Sequence, residues 1–136
     1  MFPKETRIMV VDDQEAVREL IKAILGNLGY SEFIEASDGE IAFATLTSTM
    51  EVGQPVQLII ADWNMPNLSG IDFLRRIRAT TDFKDTPFLM VTAEGEFKHV
   101  LTAVQLGVSD YIVKPINQQT IEKKLLAVWK KINNVK

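Results

Sequence analysis

Five short apolar segments, separated by segments with helical spacing, constrain the fold of this chain more than any other feature. They cover residues 7–11, 32–36, 56–61, 87–91 and 111–113. Most are continuous runs of Val, Ile, Leu and Met without polar alternation, which is typical of parallel strands covered on both faces. We therefore predict a strand at each of the five positions.

Between the predicted strands, apolar residues recur at spacings of three and four, which favours amphipathic helices. The clearest stretch is 16–28, and Gly29 after it is a typical helix stop. Similar spacing recurs in the ranges 71–78, 97–106 and 121–132. The alternation predicts a doubly wound α/β fold of the flavodoxin type, with a five-stranded parallel sheet flanked by five helices. Residues 47–55 are the one segment that we expect to be loose.

The length of 136 residues predicts a single domain spanning 1–136. The chain has no cysteine, which excludes disulfides and cysteine-bound metals. The amino-terminal residues lack the apolar core of a signal peptide, and no apolar run approaches the roughly 20 residues that span a bilayer. We therefore expect a cytoplasmic protein without membrane insertion.

Charge is unevenly distributed along the chain. The net charge is −3, yet six lysines lie between positions 111 and 136 against Glu122 alone. A basic end could contact nucleic acid or an acidic protein. A solvated lysine face on an amphipathic helix is the simpler interpretation, and the basic and aromatic density of a nucleic-acid surface is lacking. We expect no direct nucleic-acid contact.

Polar residues stand where four of the predicted strands end. They are Asp12 and Asp13, Asp62, Thr92, and Lys114. Because a parallel sheet brings these ends to one edge, the three acids are expected to lie together and to require a cation such as Mg²⁺. A carboxylate nucleophile, a metal, an ammonium and a hydroxyl are the parts that phosphoryl transfer needs. The alternative is that the acids cap the helices that follow them.

Five blocks of the chain resemble the response-regulator receiver family, and most closely its chemotaxis regulators of the CheY type. The blocks are VVDD at 10–13, DWNMPN at 62–67, Gly70, MVTAE at 90–94 and YIVKP at 111–115. The resemblance covers essentially the whole chain, and all five blocks occur in order. It implies the same α/β receiver fold.

The resemblance implies a role for each matching acid. Asp62 would be the phosphoacceptor, taking a phosphoryl group from the phosphohistidine of a histidine kinase or from a small phosphodonor. Asp13 and Asp62 would bind Mg²⁺ through their side chains. Asn64 would bind it through its backbone carbonyl, and Asp12 mainly through ordered water.

The other matching residues would read the phosphoryl group and transmit its presence. Lys114 would pair with the group, and Pro115 would follow a cis peptide bond. Thr92 would bond a phosphoryl oxygen and be drawn inward. Tyr111 would then swing inward and reshape the surface of helix four, strand five and helix five.

Four further residues near the predicted site carry separate expectations. Asn64 and Glu94 resemble positions that tune phosphoryl lifetime in the family. Trp63 is expected to pack beside the acid or to shield it partly. His99 is expected on the exposed side of a helix, without a metal-binding role.

The resemblance also implies partners. A histidine kinase would donate the phosphoryl group, and an output protein would read the switched surface. A flagellar switch component is the most specific candidate for the output protein, which would link the chain to flagellar rotation, and a phosphatase is a further candidate partner.

Two alternatives to this function stay open, and a third, an enzyme, is not favoured by the sequence. The chain could be a phosphorelay shuttle or phosphate sink, or a receiver fragment of a larger regulator. A phosphatase or phosphomutase would usually carry a second acid two residues after the nucleophile, where this chain has Asn64. We therefore expect no turnover of an external substrate.

Overall fold

The computed structural model describes residues 1–93 and 97–133. Within them, strands and helices alternate. The strands are β1 (Arg7–Val11), β2 (Glu32–Ala36), β3 (Leu58–Asp62), β4 (Phe88–Thr92) and β5 (Asp110–Val113). The helices are α1 (Glu15–Asn27), α2 (Gly39–Glu51), α3 (Gly70–Ala79), α4 (Phe97–Gln105) and α5 (Gln118–Ile132). This order confirms the predicted doubly wound α/β fold.

The strands form one parallel sheet in the order β2-β1-β3-β4-β5. The strand order reverses between β1 and β3, and sheets of this kind bind ligands outside the carboxyl ends of the strands at such a reversal. Every residue of β3 and β4 is buried, as continuous apolar sequences predict. The carboxyl ends of the strands share one side of the sheet, which we call the carboxyl edge.

Two apolar clusters attach the helices to the two faces of the sheet. Ile8 and Ile60 belong to the cluster that includes the buried residues of α1 and α5. Met9 and Ile59, their neighbours along the strands, belong to the cluster with α2, α3 and α4. Because successive strand residues point to opposite faces, each strand contributes to both clusters. The central strands are therefore fixed from both sides.

Two strands reach one residue further than the sequence predicted, because the sheet ladder continues into the polar residues that follow. Asp62 is paired with Val91 of β4, and Thr92 is paired with Val113 of β5. Both polar residues are thus held by the sheet and do not belong to a loop.

Helix α2 corrects the predicted loose segment 47–55, since it continues to Glu51. Ala42 and Leu46, one turn apart, are buried and hold the helix to the sheet. The hydroxyl of Ser48 donates to the carbonyl oxygen of the residue four positions earlier, at 3.1 Å. Tertiary packing thus overrides the weak helix propensity of a Ser- and Thr-rich stretch.

Helix α5 is amphipathic, with Ile121, Leu125 and Val128 buried. Its lysines lie on the other faces, and Lys124 forms an ion pair with Asp110, Nζ to Oδ1 2.9 Å. This arrangement agrees with the interpretation of the lysine-rich end as a solvated face. Across the described ranges, the structure contains no helix with the length and hydropathy to span a membrane.

Candidate functional site

The carboxyl edge carries the charged and hydroxyl side chains that the sequence placed there. Asp12 and Asp13 follow β1, Asp62 ends β3, Thr92 ends β4, and Lys114 follows β5. One oxygen from each of the three carboxylates lies within 4.8 Å of the others. The Nζ atom of Lys114 lies 3.1 Å from Oδ1 of Asp62. The fold thus brings the three acids and the lysine together.

Burial leaves two polar atoms of the site without a partner. Asp12, Asp62 and Thr92 are only 2%, 7% and 2% exposed. Oδ1 of Asp12 accepts a hydrogen bond from the backbone N–H of Gln14 at 2.9 Å. Within residues 1–93 and 97–133, no group bonds Oδ2 of Asp12 or Oγ1 of Thr92. Because buried polar atoms are almost always hydrogen-bonded, both atoms are available to bind a metal ion or another ligand.

The electrostatics of the site favour a bound cation. Burial raises the pKa of Asp12 to about 6, and the negative charge of Asp62 adds to that rise. Burial also raises the pKa of Asp62, whereas the hydrogen bond and charge of Lys114 lower it. Ionising both acids therefore costs free energy unless positive charge is added.

The donor set fits a hard divalent ion. Asp12, Asp13 and Asp62 have the spacing of metal ligands within the described part of the chain, and Asp12 has a free oxygen. Mg²⁺ prefers carboxylate, carbonyl and water oxygens and usually takes one or two carboxylates from a protein. These residues meet that requirement.

The backbone after Asp62 is closely packed against the start of α3. The N–H of Trp63 donates to the carbonyl oxygen of Val91, and the N–H of Gly70 donates to the carbonyl oxygen of Trp63, both at 2.9 Å. A Cβ atom on Gly70 would lie 2.1 Å from the carbonyl oxygen of Asp62. Only glycine fits there, so α3 begins directly against the strand end that carries the acid.

The loop between Asp62 and α3 is held by a residue that the sequence did not single out. Asn67 has a φ of 67°, and its Nδ2 donates to Oδ2 of Asp38 at 2.7 Å. The other carboxylate oxygen of Asp38 caps α2 by accepting from the N–H of Ile41 at 2.8 Å. These two bonds hold the pKa of Asp38 below its usual value. An Asp-Gly pair before a helical run signals the cap, but not the contact with Asn67, 29 residues away.

Trp63 packs against α4 through a ring stack with His99. The ring centroids lie 3.9 Å apart and the ring planes differ by 8°. The prediction that His99 is on the exposed side of its helix was wrong, because its side chain is half-buried. Helical spacing could not reveal this burial, since the covering ring comes from a distant loop.

Tyr111 lies within β5, and Pro115 follows two residues after the strand ends. Tyr111 is half-buried and packs against the apolar cluster of α2, α3 and α4. The Nζ atom of Lys124 lies 4.5 Å from the centre of the Tyr111 ring. The peptide bond between Lys114 and Pro115 is cis.

Of the two positions that are expected to tune phosphoryl lifetime, the structure describes only Asn64. Asn64 is exposed in the loop after Asp62, and its backbone N–H helps to lower the pKa of the Asp62 carboxyl. Glu94 lies outside the described residues.

A doubly wound sheet with this cluster of acids, hydroxyl and lysine at its carboxyl edge offers a site for a hard cation and an anionic group. The chain belongs to the response regulator receiver domain family, which matches residues 8–126. Receiver domains are signalling modules that bind Mg²⁺ through an acidic pocket. The family resemblance drawn from the sequence is therefore confirmed.

Several proteins that are similar to this chain are chemotaxis regulators. Chemotaxis protein CheY1 of Helicobacter pylori is 38% identical over 122 residues, which cover 90% of this chain and 95% of that protein. Chemotaxis protein CheY of Pseudomonas aeruginosa is 38% identical over 127 residues, covering 93% and 98%. The structure of the chemotaxis response regulator CheY4 of Vibrio cholerae matches with a TM-score of 0.80 and 31% identity, covering 91% and 98%. The chain is thus a two-component receiver closely related to the CheY chemotaxis regulators.

Proposed function

We propose that residues 1–136 form a single receiver domain that is phosphorylated on Asp62 and thereby switches protein–protein binding in chemotaxis or flagellar motor signalling. The observation that carries this proposal is the position of Asp62. Its buried carboxylate contacts Lys114 and lies among two other acids. The chemotaxis relatives, which match over most of their own length, support the signalling context.

The proposed reaction is a phosphoryl transfer to Asp62. One carboxylate oxygen attacks the phosphorus of a phosphohistidine in a histidine kinase, or that of a small phosphodonor. With the kinase, the new O–P bond forms as the P–N bond breaks, and the histidine leaves as neutral imidazole if its other ring nitrogen carries a proton. With acetyl phosphate, the P–O bond to the acetyl group breaks and acetate leaves. The charge of Lys114 helps to keep Asp62 anionic for this attack, because it opposes the effect of burial on the Asp62 pKa.

We expect two side chains to hold the transferred group. The ammonium of Lys114 would face the phosphoryl oxygens and neutralise part of their charge. The hydroxyl of Thr92, which has no partner in the described part of the chain, would donate to another of those oxygens. Charge stabilisation and positioning of this kind account for most of the catalysis of phosphoryl transfer.

Four residues would hold Mg²⁺. Asp13 and Asp62 would bind through their side chains, Asn64 through its backbone carbonyl, and Asp12 mainly through water. When bound, Mg²⁺ supplies the positive charge that both the acids and the phosphoryl oxygens require.

The switch would run from Thr92 to the surface of α4, β5 and α5. The backbone N–H of Lys114 donates to the carbonyl oxygen of Thr92 at 2.8 Å, which ties the ends of β4 and β5 together. Movement of Thr92 toward the phosphoryl group would draw Tyr111 with it. Leu101 and Val104 on α4 are 50% and 57% exposed, and they provide apolar area for an output protein. Phosphorylation thus acts as a local charge event that biases a packing equilibrium.

The acceptor is tested by intact mass spectrometry after incubation with acetyl phosphate and Mg²⁺. The wild type should gain the mass of one phosphoryl group and Asp62→Asn should not. Asp82→Asn, which removes an exposed acid away from the site, should behave as the wild type does. Equal labelling of the wild type and Asp62→Asn would contradict the assignment of Asp62, and a wild type that gains nothing would contradict the proposed function.

The output is tested by measuring the affinity for a peptide from a flagellar switch component, with and without acetyl phosphate and Mg²⁺. A rise in affinity on phosphorylation is expected. Unchanged affinity would remove the flagellar switch as the partner. Rapid passage of the label to a histidine phosphotransfer protein would instead identify the chain as a phosphorelay shuttle.

A further inference from the structure

The side chains of α4 that the structure describes bury little surface against the sheet. Of the α4 side chains that the structure describes, Ala103 alone is almost fully buried, at 1% exposed, whereas Leu101 and Val104 are at least half exposed. Elements with few buried apolar contacts open at a low cost in free energy. Any further contact to α4 therefore has a large influence on where the helix lies.

The stack of Trp63 and His99 is such a contact, and it lies at the amino-terminal turn of α4. His99 is the third residue of the helix. The two rings are nearly parallel, at 8°, with centroids 3.9 Å apart, whereas the other close aromatic pairs in the described residues are tilted or edge-on. A parallel contact at this distance uses the full faces of both rings, so a shift of α4 along the sheet would separate them.

The indole end of the stack begins at the candidate acceptor. Trp63 follows Asp62 directly, and its backbone N–H and carbonyl are both held, by Val91 and Gly70. The indole therefore projects from a fixed backbone position, one peptide bond after Asp62. This connection is separate from the one through Thr92 and Tyr111, since it reaches α4 without passing through β5.

We propose that the Trp63–His99 stack couples occupation of Asp62 to the position and local stability of α4. The proposal rests on the function of Asp62 as the acceptor and adds a second connection from it to the output surface. Trp63 and His99 are positioning residues. Because coupling between two sites is reciprocal, a protein that binds α4 would in turn alter the affinity of Asp62 for a phosphoryl group through the same stack.

Hydrogen exchange of the α4 backbone measures this coupling. Beryllofluoride with Mg²⁺ serves as the phosphoryl mimic, and its binding is followed independently by fluorine NMR. Protection of the amides of residues 101–106 is compared with and without the mimic in the wild type, His99→Ala and His99→Phe. His99→Phe keeps a flat ring for the stack. Gln105→Ala is the matched control, because it truncates an exposed side chain of the same helix to which no role is assigned.

In the wild type, the mimic should change the protection of α4 amides by about two- to tenfold. This is the change in an opening equilibrium that the stabilisation from one aromatic pair produces. His99→Ala should lose most of this change, and His99→Phe and Gln105→Ala should keep it. A response of His99→Ala equal to that of the wild type would overturn the proposal, as would loss of the response in His99→Phe.

The outcome also separates this proposal from the assignment of Asp62. If fluorine NMR shows that beryllofluoride binds and α4 does not respond in the wild type, the coupling is refuted and the acceptor assignment stands. If the wild type does not bind beryllofluoride at all, or if Asp62→Asn binds it equally well, the proposed function itself fails.

Discussion

Replacing Asp12 by Asn tests the electrostatics of the acidic cluster. In metal-free buffer at alkaline pH, we expect Asp12→Asn to be more stable than the wild type. The new side chain keeps an oxygen for the N–H of Gln14 but carries no charge. The cost of a buried carboxylate beside Asp62 is therefore removed.

The expected size of the gain follows from the pKa of Asp12. Burial raises that pKa from 3.8 to about 6, and each unit corresponds to about 1.4 kcal/mol. The folded protein binds this proton more tightly than the unfolded chain does. Its penalty is thus absent below about pH 4, grows as the pH rises and is complete above about pH 7. At about pH 8 the gain should be on the order of 2–3 kcal/mol, or roughly 6–10 °C in Tm.

Urea unfolding in the presence of a chelator measures this gain at about pH 8 and about pH 4. The gain of Asp12→Asn should be large at the higher pH and nearly absent at the lower one. Asp82→Asn, at an exposed position, should stay within about 0.5 kcal/mol of the wild type at both. An equal gain of Asp12→Asn at both pH values, or a loss at the higher one, would refute the argument from buried charge.

Mg²⁺ should reduce or abolish the stability advantage of Asp12→Asn. A ligand at a hundredfold excess over its Kd stabilises the folded state by about 2.7 kcal/mol. The wild type should receive this stabilisation in full and Asp12→Asn only in part. Identical Mg²⁺ responses would show that Asp12 does not contribute to the metal site.

Two further changes test the packing around the acceptor. Gly70→Ala should cost about 3 kcal/mol or more in thermal unfolding, because its Cβ would lie 2.1 Å from the carbonyl oxygen of Asp62. Gly26→Ala, where no atom lies within 4 Å of the new Cβ, should instead stabilise by about 0.5–1 kcal/mol, and similar effects of the two changes would refute the close contact. Asp38→Asn should weaken Mg²⁺ binding, which is measured by tryptophan fluorescence. An asparagine has one acceptor oxygen in place of two, so it cannot accept from both the N–H of Ile41 and the Nδ2 of Asn67. Adding Asn67→Asp exchanges donor and acceptor and should restore binding, whereas failure of this rescue would show that the bond does not position the loop.

The order of strands and helices could be predicted because it depends on local spacing. Continuous apolar runs and three- to four-residue spacing predicted all five strands and the doubly wound class, and the structure confirms both. The errors fell at element ends. Helix α2 continues into 47–51 because Leu46 is buried against the sheet, and β3 and β4 include Asp62 and Thr92 because neighbouring strands pair with them.

The grouping of the candidate site residues could also be predicted, for a topological reason. Parallel strands place their carboxyl ends on one edge, so Asp12, Asp62 and Lys114 meet whatever the details of packing. Their burial could not be predicted in this way. The raised pKa of Asp12 depends on the helices and loops that exclude water from it.

Chain order and residue spacing were thus sufficient for the fold class, the family and the set of acids at the carboxyl edge. The folded contacts alone revealed how that edge is supported, through the bond of Asp38 to Asn67 and the stack of Trp63 on His99. The residues of the first pair are 29 positions apart and those of the second are 36 positions apart. Side-chain contacts at such separations depend on how helices lie on the sheet, and periodicity along the chain carries no information about them.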